Sequence, residues 1–361
     1  MKRRNVLTAA GALALSACAR EQQGGAPAAV AERFSWKMVT SWPPNFPGVG
    51  SGVVKLAKFI EAASGGRLQI KVYAAGELIP PFEVFDAVSR GTAEMGHGAA
   101  YYWKGQSEAS QFFTAIPFGM TAQEMNGWMY YGGGLELYRE LYAPHNLIPF
   151  PAGNTGVQMG GWFNKEINSL TDLQGLKMRI PGLGGEVLKR AGGTPVTLPG
   201  ADIFTALQTG SIDATEWIGP YNDVSFGFNK AARYYYYPGW QEPGPVLECM
   251  VNREAFDALP DDLQAIVEIS CSAINDQITA EYTARNAASL QQLKDEGEIE
   301  IRPFPDDVLR QLRDLTHEVV AELATLDPLA ARINDSFQAY RKVVAEWTAI
   351  SEHAILNARE L

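Results

Sequence analysis

Arg179 stands in Lys177-Met-Arg179-Ile-Pro-Gly182, alternating with strand-like residues and immediately ahead of a turn. That puts it at the carboxyl end of a strand, where open α/β sheets hold ligands. A guanidinium there can grip a carboxylate through two parallel hydrogen bonds; the competing reading is a salt bridge to a neighbouring acid. Glu216 lies beside Trp217 in an apolar segment that ends in Gly219-Pro220, Glu242 follows Trp240-Gln241, and Gln158 lies mid-strand between Val157 and Met159. Charges in such surroundings require partners. The oxygens of Gln158, Glu216 and Glu242 suit a hard cation such as sodium or calcium, and separate structural hydrogen bonds are the alternative. Tyr101-Tyr102-Trp103 and the tyrosines at 234–237 offer apolar bodies with polar tips, fit for a pocket wall or for packing.

Signatures of catalysis are few. The chain has no phosphate-binding glycine loop ending in Lys-Ser/Thr, no Gly-x-Ser-x-Gly and no His-Glu-x-x-His. His97, His145, His317 and His353 are scattered. Gly182-Leu-Gly-Gly185 lacks the full dinucleotide spacing and reads as a turn that leaves a helix N-terminus open. The enzyme reading that survives uses Glu216 and Glu242 as an acid/base pair on a small carboxylate.

These residues sit in an alternation of strands and helices. Residues 34–40 and 68–72 alternate as strands around a helix over 53–63 closed by Gly65-Gly66; a helix over 82–90 and a buried strand over 93–100 follow. The grammar repeats with strands over 156–163 and 176–180, helices over 185–191 and 202–208, a strand end over 211–218 and a strand over 246–251. The economical architecture is a mostly parallel sheet with helices on its faces. Pro260-Asp-Asp opens a helix to about residue 296, Pro305-Asp-Asp a second, and Asp327-Pro328 a third that runs to the end, with proline and carboxylates suited to the first turn.

The 361 residues, 46% hydrophobic, suggest two domains, and the net charge of −11 excludes a nucleic-acid surface. Residues 1–17 read as an export signal: Lys2, Arg3 and Arg4, then a ten-residue apolar run too short to span a bilayer. Arg3-Arg4 resembles a twin-arginine signal, and Leu15-Ser-Ala-Cys18 a lipobox that predicts lipidation of Cys18, with residues 18–32 as a flexible tether. Cleavage removes three positive charges and leaves −14. Cys249 and Cys271 read as two buried thiols rather than a bridge.

Several motifs in order, Asn154-Thr-Gly-Val-Gln158-Met-Gly-Gly-Trp-Phe163, Gly175-Leu-Lys-Met-Arg179-Ile-Pro-Gly182, residues 206–220 and residues 234–240, resemble the substrate-binding proteins of tripartite ATP-independent periplasmic (TRAP) transporters, in the branch that binds 2-oxo acids. The resemblance implies a two-lobed periplasmic-binding-protein-like α/β fold with interleaved domains: residues 33–157 plus 247–295 in lobe I, and 158–246 plus 296–327 in lobe II. It implies a periplasmic receptor, not an enzyme, that delivers a small 2-oxo or 2-hydroxy monocarboxylate to membrane permease subunits. Arg179 would grip the carboxylate, with Gln158, Tyr101, Tyr102, Trp217 and Glu242 around it. Gln158, Glu216, the Trp217 carbonyl and Glu242 would hold sodium, or calcium. Residues 328–361, whose apolar side chains Ile333, Phe337, Tyr340, Val343, Val344, Trp347 and Ile350 recur at helical spacing, would form a homodimerisation helix.

Overall fold

Alternation in Phe34-Ser-Trp-Lys-Met-Val-Thr40 buries Trp36 and Met38 and exposes Ser35 and Lys37, so this segment can only sit as a strand with one face inward. A computed structural model describes residues 32–361, of which Arg33–Leu361 form one unit. The export signal, Cys18 and all but the last residue of the tether lie outside the described residues.

The strands are β1 (Phe34–Thr40), β2 (Leu68–Tyr73), β3 (Met95–Gly98), β4 (Leu147–Asn154), β5 (Gly161–Phe163), β6 (Lys177–Arg179), β7 (Thr194–Val196), β8 (Ala214–Thr215), β9 (Tyr234–Tyr237), β10 (Val246–Asn252) and β11 (Glu300–Pro303). The helices are α1 (Val49–Ala63), α2 (Val84–Ser89), α3 (Ala122–Tyr131), α4 (Gly134–Tyr142), α5 (Gly182–Arg190), α6 (Gly200–Gln208), α7 (Pro220–Phe226), α8 (Arg253–Asp257), α9 (Asp261–Glu296), α10 (Asp306–Leu323), α11 (Pro328–Ile350) and α12 (Glu352–Ala358).

They build two sheets, ordered β2-β1-β3-β10-β4 and β11-β9-β5-β8-β6-β7. All strands of a sheet run one way except β10 in the first and β5 in the second. β5 is the first strand the chain lays into the second sheet, and β10 the first it lays after returning. The sheets are therefore mostly parallel, with one reversed strand each.

Four expectations need correction. The strand read over 156–163 begins only at Gly161, so Gln158 lies in an irregular segment and not mid-strand; Gly156 and Gly161 take φ +71° and +121°, which interrupts the ladder. Residues 182–185 are not a turn ahead of a helix but the first turn of α5, packed so closely that a Cβ at Gly185 would meet the Ile180 carbonyl. β4 has no counterpart in the sequence reading, because Pro149 and Pro151 speak against a strand; it takes the sheet edge, where a missing N–H is tolerated. The C-terminal helix does not run unbroken: it stops at Ser351, whose hydroxyl donates to the Trp347 carbonyl (2.7 Å), and resumes as α12.

Other elements follow their signals. α9 starts behind Pro260 and ends at Gly297, which takes φ +65° and donates to the Leu293 carbonyl. Tyr234–Tyr237 serves packing: Tyr235 stacks on Trp162 and Tyr236 on Phe304. Cys249 and Cys271 are buried and unbridged. Among the described residues no helix is long and apolar enough to cross a membrane.

Candidate functional site

The parallel ladder of β6 with β8 pairs Arg179 with Thr215, and the Glu216 N–H donates to the Arg179 carbonyl (3.2 Å). Arg179 and Glu216 thus stand at adjacent strand ends. Both side chains are 1% exposed, and Arg179 Nη1 contacts Glu216 Oε1. The guanidinium is further held by the carbonyls of Leu198 (from Nε, 3.3 Å) and Glu216 (from Nη1, 3.3 Å), by the Tyr102 hydroxyl (from Nη2, 3.3 Å) and by the Trp217 ring 5.0 Å beneath it. Of its five N–H groups four are engaged, and one on Nη2 has no acceptor among the described residues.

The segment 155–158 supplies the facing wall. Gln158 exchanges backbone bonds with the loop after β9, donating to the Glu242 carbonyl (3.2 Å) and accepting from the Gly239 N–H (2.9 Å). Its side-chain amide donates to Glu242 Oε2 (2.7 Å) and to the Thr155 hydroxyl (3.1 Å). Tyr101 and Tyr102 come from the 3₁₀ turn Ala100–Trp103 that follows β3, and the Tyr101 phenol lies beside the Glu242 carboxylate.

Trp42, Tyr101, Tyr102, Thr155, Gln158, Arg179, Trp217, Ile218, Glu242 and Leu247 line a cavity of about 10 Å³. That is room for about one water, so a ligand of even a few atoms is seated only when these walls move apart. A wider cleft of about 440 Å³ runs past Lys104, Glu186, Arg190 and Glu322. Its charges are solvent-exposed and paired with one another, Lys104 with Glu186 and Arg190 with Glu322, so it gathers no buried charge.

The small cavity does. Burial pushes the Glu216 carboxyl up to about 7 against the pull of Arg179, and burial together with the negative charge of Glu216 holds the Glu242 carboxyl well above the usual range. Two buried carboxylates share one guanidinium. Gln158 Oε1 and Glu216 Oε2 are buried without a hydrogen-bond partner among the described residues. The donors are oxygens throughout, the set a hard cation accepts. No group of three His, Cys, Asp or Glu side chains suited to a metal occurs among the described residues, so a cation here would depend on amide and carbonyl oxygens as well as carboxylates.

The residues singled out in the sequence therefore come together, Glu216 behind Arg179 and the other six on the cavity wall. Trp42, Thr155, Ile218 and Leu247 were not anticipated. Trp42 was within reach of the rule used for Arg179, since it lies two residues past the carboxyl end of β1. Its indole N–H donates to His97 Nδ1 (2.8 Å), and His97 Nε2 meets the Ala152 carbonyl (3.1 Å), so a neutral imidazole braces the wall. Burial lowers that imidazole to about 4.

The profile of bacterial extracellular solute-binding protein family 7 matches residues 38–326. The chain belongs to this family. Within it, the chain is a solute-binding protein of the TRAP type. It is 42% identical over 361 residues to the monocarboxylate 2-oxoacid-binding periplasmic protein of a Nostoc species, covering 99% of this chain and 98% of that one. A TRAP periplasmic solute-binding protein of Colwellia psychrerythraea, solved with calcium and pyruvate, superposes with a TM-score of 0.89 at 41% identity over 91% of this chain and 100% of that one. The Pseudoalteromonas atlantica protein, solved with sodium and pyruvate, gives 0.88 at 44% over 90% and 99%. A Bordetella bronchiseptica protein, a dimer with calcium and picolinate in one site, gives 0.89 at 39% over 91% and 97%. The two-sheet α/β fold of this chain is that of these family members.

Proposed function

We propose that the chain is the extracytoplasmic receptor of a TRAP transporter and binds a small 2-oxo monocarboxylate, with pyruvate as the reference ligand, together with sodium or calcium. The observation that carries this reading is the cavity closed by Arg179, Gln158 and Glu242, small and oxygen-lined, where two buried carboxylates face one guanidinium. The ligand carboxylate takes the remaining N–H on Nη2 of Arg179 and the neighbouring Tyr102 hydroxyl. A two-pronged grip, expected from the sequence, would have to displace the Tyr102 contact, since Nε and Nη1 are engaged. Gln158, Glu216, Glu242 and the Trp217 carbonyl would hold the cation, which supplies the positive charge the two carboxylates lack. Proteins with 41% and 44% identity that hold pyruvate with calcium and with sodium support this, and they leave both ions as candidates.

The chain acts as a receptor and releases its ligand unchanged to the permease subunits. Two interleaved lobes, 33–157 plus 247–295 and 158–246 plus 296–327, close around the cavity; that each stretch supplies every strand of one sheet supports the division. The mature chain is periplasmic, as the names of its relatives state for them, and is anchored through a lipid on Cys18. It dimerises through the second half of α11. Ile333 and Phe337 are buried against the chain's own core, whereas Val343, Trp347 and Ile350 are 70%, 62% and 74% exposed, an apolar stripe of the kind that marks an interface. The test of the reading is mass spectrometry of the small acid that copurifies with the protein and of the same acid after prolonged incubation: a 2-oxo acid recovered intact supports it, and an altered product contradicts it.

A further inference from the structure

Asn222, in the first turn of α7, is fully buried and bonded in three directions. Its side-chain oxygen accepts from the Trp217 indole N–H (3.3 Å) and from the Tyr282 hydroxyl (2.8 Å), and its amide donates to the Pro47 carbonyl (3.1 Å). Trp217 is a wall of the ligand cavity and lies under Arg179. Pro47 and Tyr282 belong to the other half of the chain, the one that builds the first sheet: Pro47 precedes α1, and Tyr282 lies in α9. The seam around Asn222 is aromatic, with Phe46 stacked on Phe226 at 4.2 Å and both rings edge-on to Trp217.

We propose that Asn222 is the closure latch: a positioning residue that ties the Trp217 wall of the cavity to the opposite lobe, so that the seat of the ligand and the docking of the lobes are one event. This rests on the two-lobe receptor reading. An amide meets the demand of this place, since its oxygen accepts two hydrogen bonds while its NH2 group donates a third to a carbonyl. When the lobes part, Asn222 exchanges Pro47 and Tyr282 for water and keeps the Trp217 indole of its own lobe. The bonds to Pro47 and Tyr282 therefore weigh on the closed state and not on the fold of either half.

Two variants test it, Asn222→Ala and Tyr282→Phe, the second removing one hydroxyl that does not line the cavity. Pyruvate and 2-oxobutyrate binding is followed by stopped-flow fluorescence, with small-angle scattering of the ligand-saturated protein. The latch predicts that Asn222→Ala raises the dissociation rate tenfold or more, by a similar factor for both acids, and leaves the saturated protein more extended than the parent. Tyr282→Phe shifts both in the same direction by less. Parent-like dissociation rates in both variants overturn the latch, as does a change in preference between the two acids, which would place Asn222 in ligand recognition. A parent that binds neither acid overturns the receptor reading instead.

Discussion

Arg179 and Glu216 meet through Nη1 and Oε1 with both side chains 1% exposed, one at the end of β6 and the other one residue past β8. A buried pair of this kind is sensitive to removal of either partner, because the other is left charged or forced to change its protonation. Glu216 is already near that point, its carboxyl pushed up to about 7 by burial.

Arg179→Lys keeps the charge and loses the planar group that reaches Leu198, Glu216 and Tyr102 together. Calorimetry with pyruvate should show a loss of at least tenfold in affinity, about 1.4 kcal/mol or more, in a protein that still folds. Undiminished affinity would mean that the guanidinium is a structural tie and not the ligand's anchor.

Glu248 on β10 is a further buried carboxylate, with no cation bonded to it: the indole of Trp103 and the hydroxyls of Tyr138 and Tyr142 donate to it. Burial pushes it up to about 7 from an ordinary 4.5. Between those values the unfolded chain is ionised and the folded protein holds the proton, so its contribution, complete below about 4.5, is lost as pH rises to about 7. The stake is on the order of 3 kcal/mol. Glu248→Gln has no proton to lose, and its melting temperature should change less than the parent's across this window; identical profiles would show that Glu248 ionises freely in the fold.

His97 slopes the opposite way. Its imidazole, lowered to about 4 by burial, stays neutral in the folded protein, so its contribution is present above about 6.5 and is lost as pH falls towards 4. Nitrogen-detected NMR should find the Nε2–H tautomer with no titration near 6.5. A midpoint at 6.5 would require the bond from Trp42 to Nδ1 to open.

The alternation of strand and helix was legible because each signal is local. Pro260-Asp-Asp begins a helix wherever it stands, and Gly297 ends one. β4 was not, since Pro149 and Pro151 fit a strand only once β10 is known to cover a single side of it. The site residues were visible as charges in apolar surroundings, but their convergence depends on pairings such as Gln158 with Glu242, 84 residues apart, which no local pattern encodes. Asn222 and His97 were invisible for a related reason: each is remarkable only for what it touches.

The exposed stripe on α11 predicts a dimer that tolerates no charge there. Light scattering at micromolar concentration should give twice the mass of the chain, and Trp347→Glu with Ile350→Glu should give a monomer that binds pyruvate as before. A parent that runs as a monomer removes the interface.

The central claim is that ligand and cation share one site. Each must then raise the affinity of the other by the same factor. Calorimetry of pyruvate binding to dialysed, calcium-chelated protein, with sodium, with calcium and with neither, measures this directly. The account predicts tight binding with at least one of the two ions, a loss of tenfold or more without either, and an ion dependence abolished in Glu216→Gln. Equal affinity in all three buffers, for the parent and for Glu216→Gln alike, would contradict it and leave Arg179 and its polar neighbours as the whole of the recognition site.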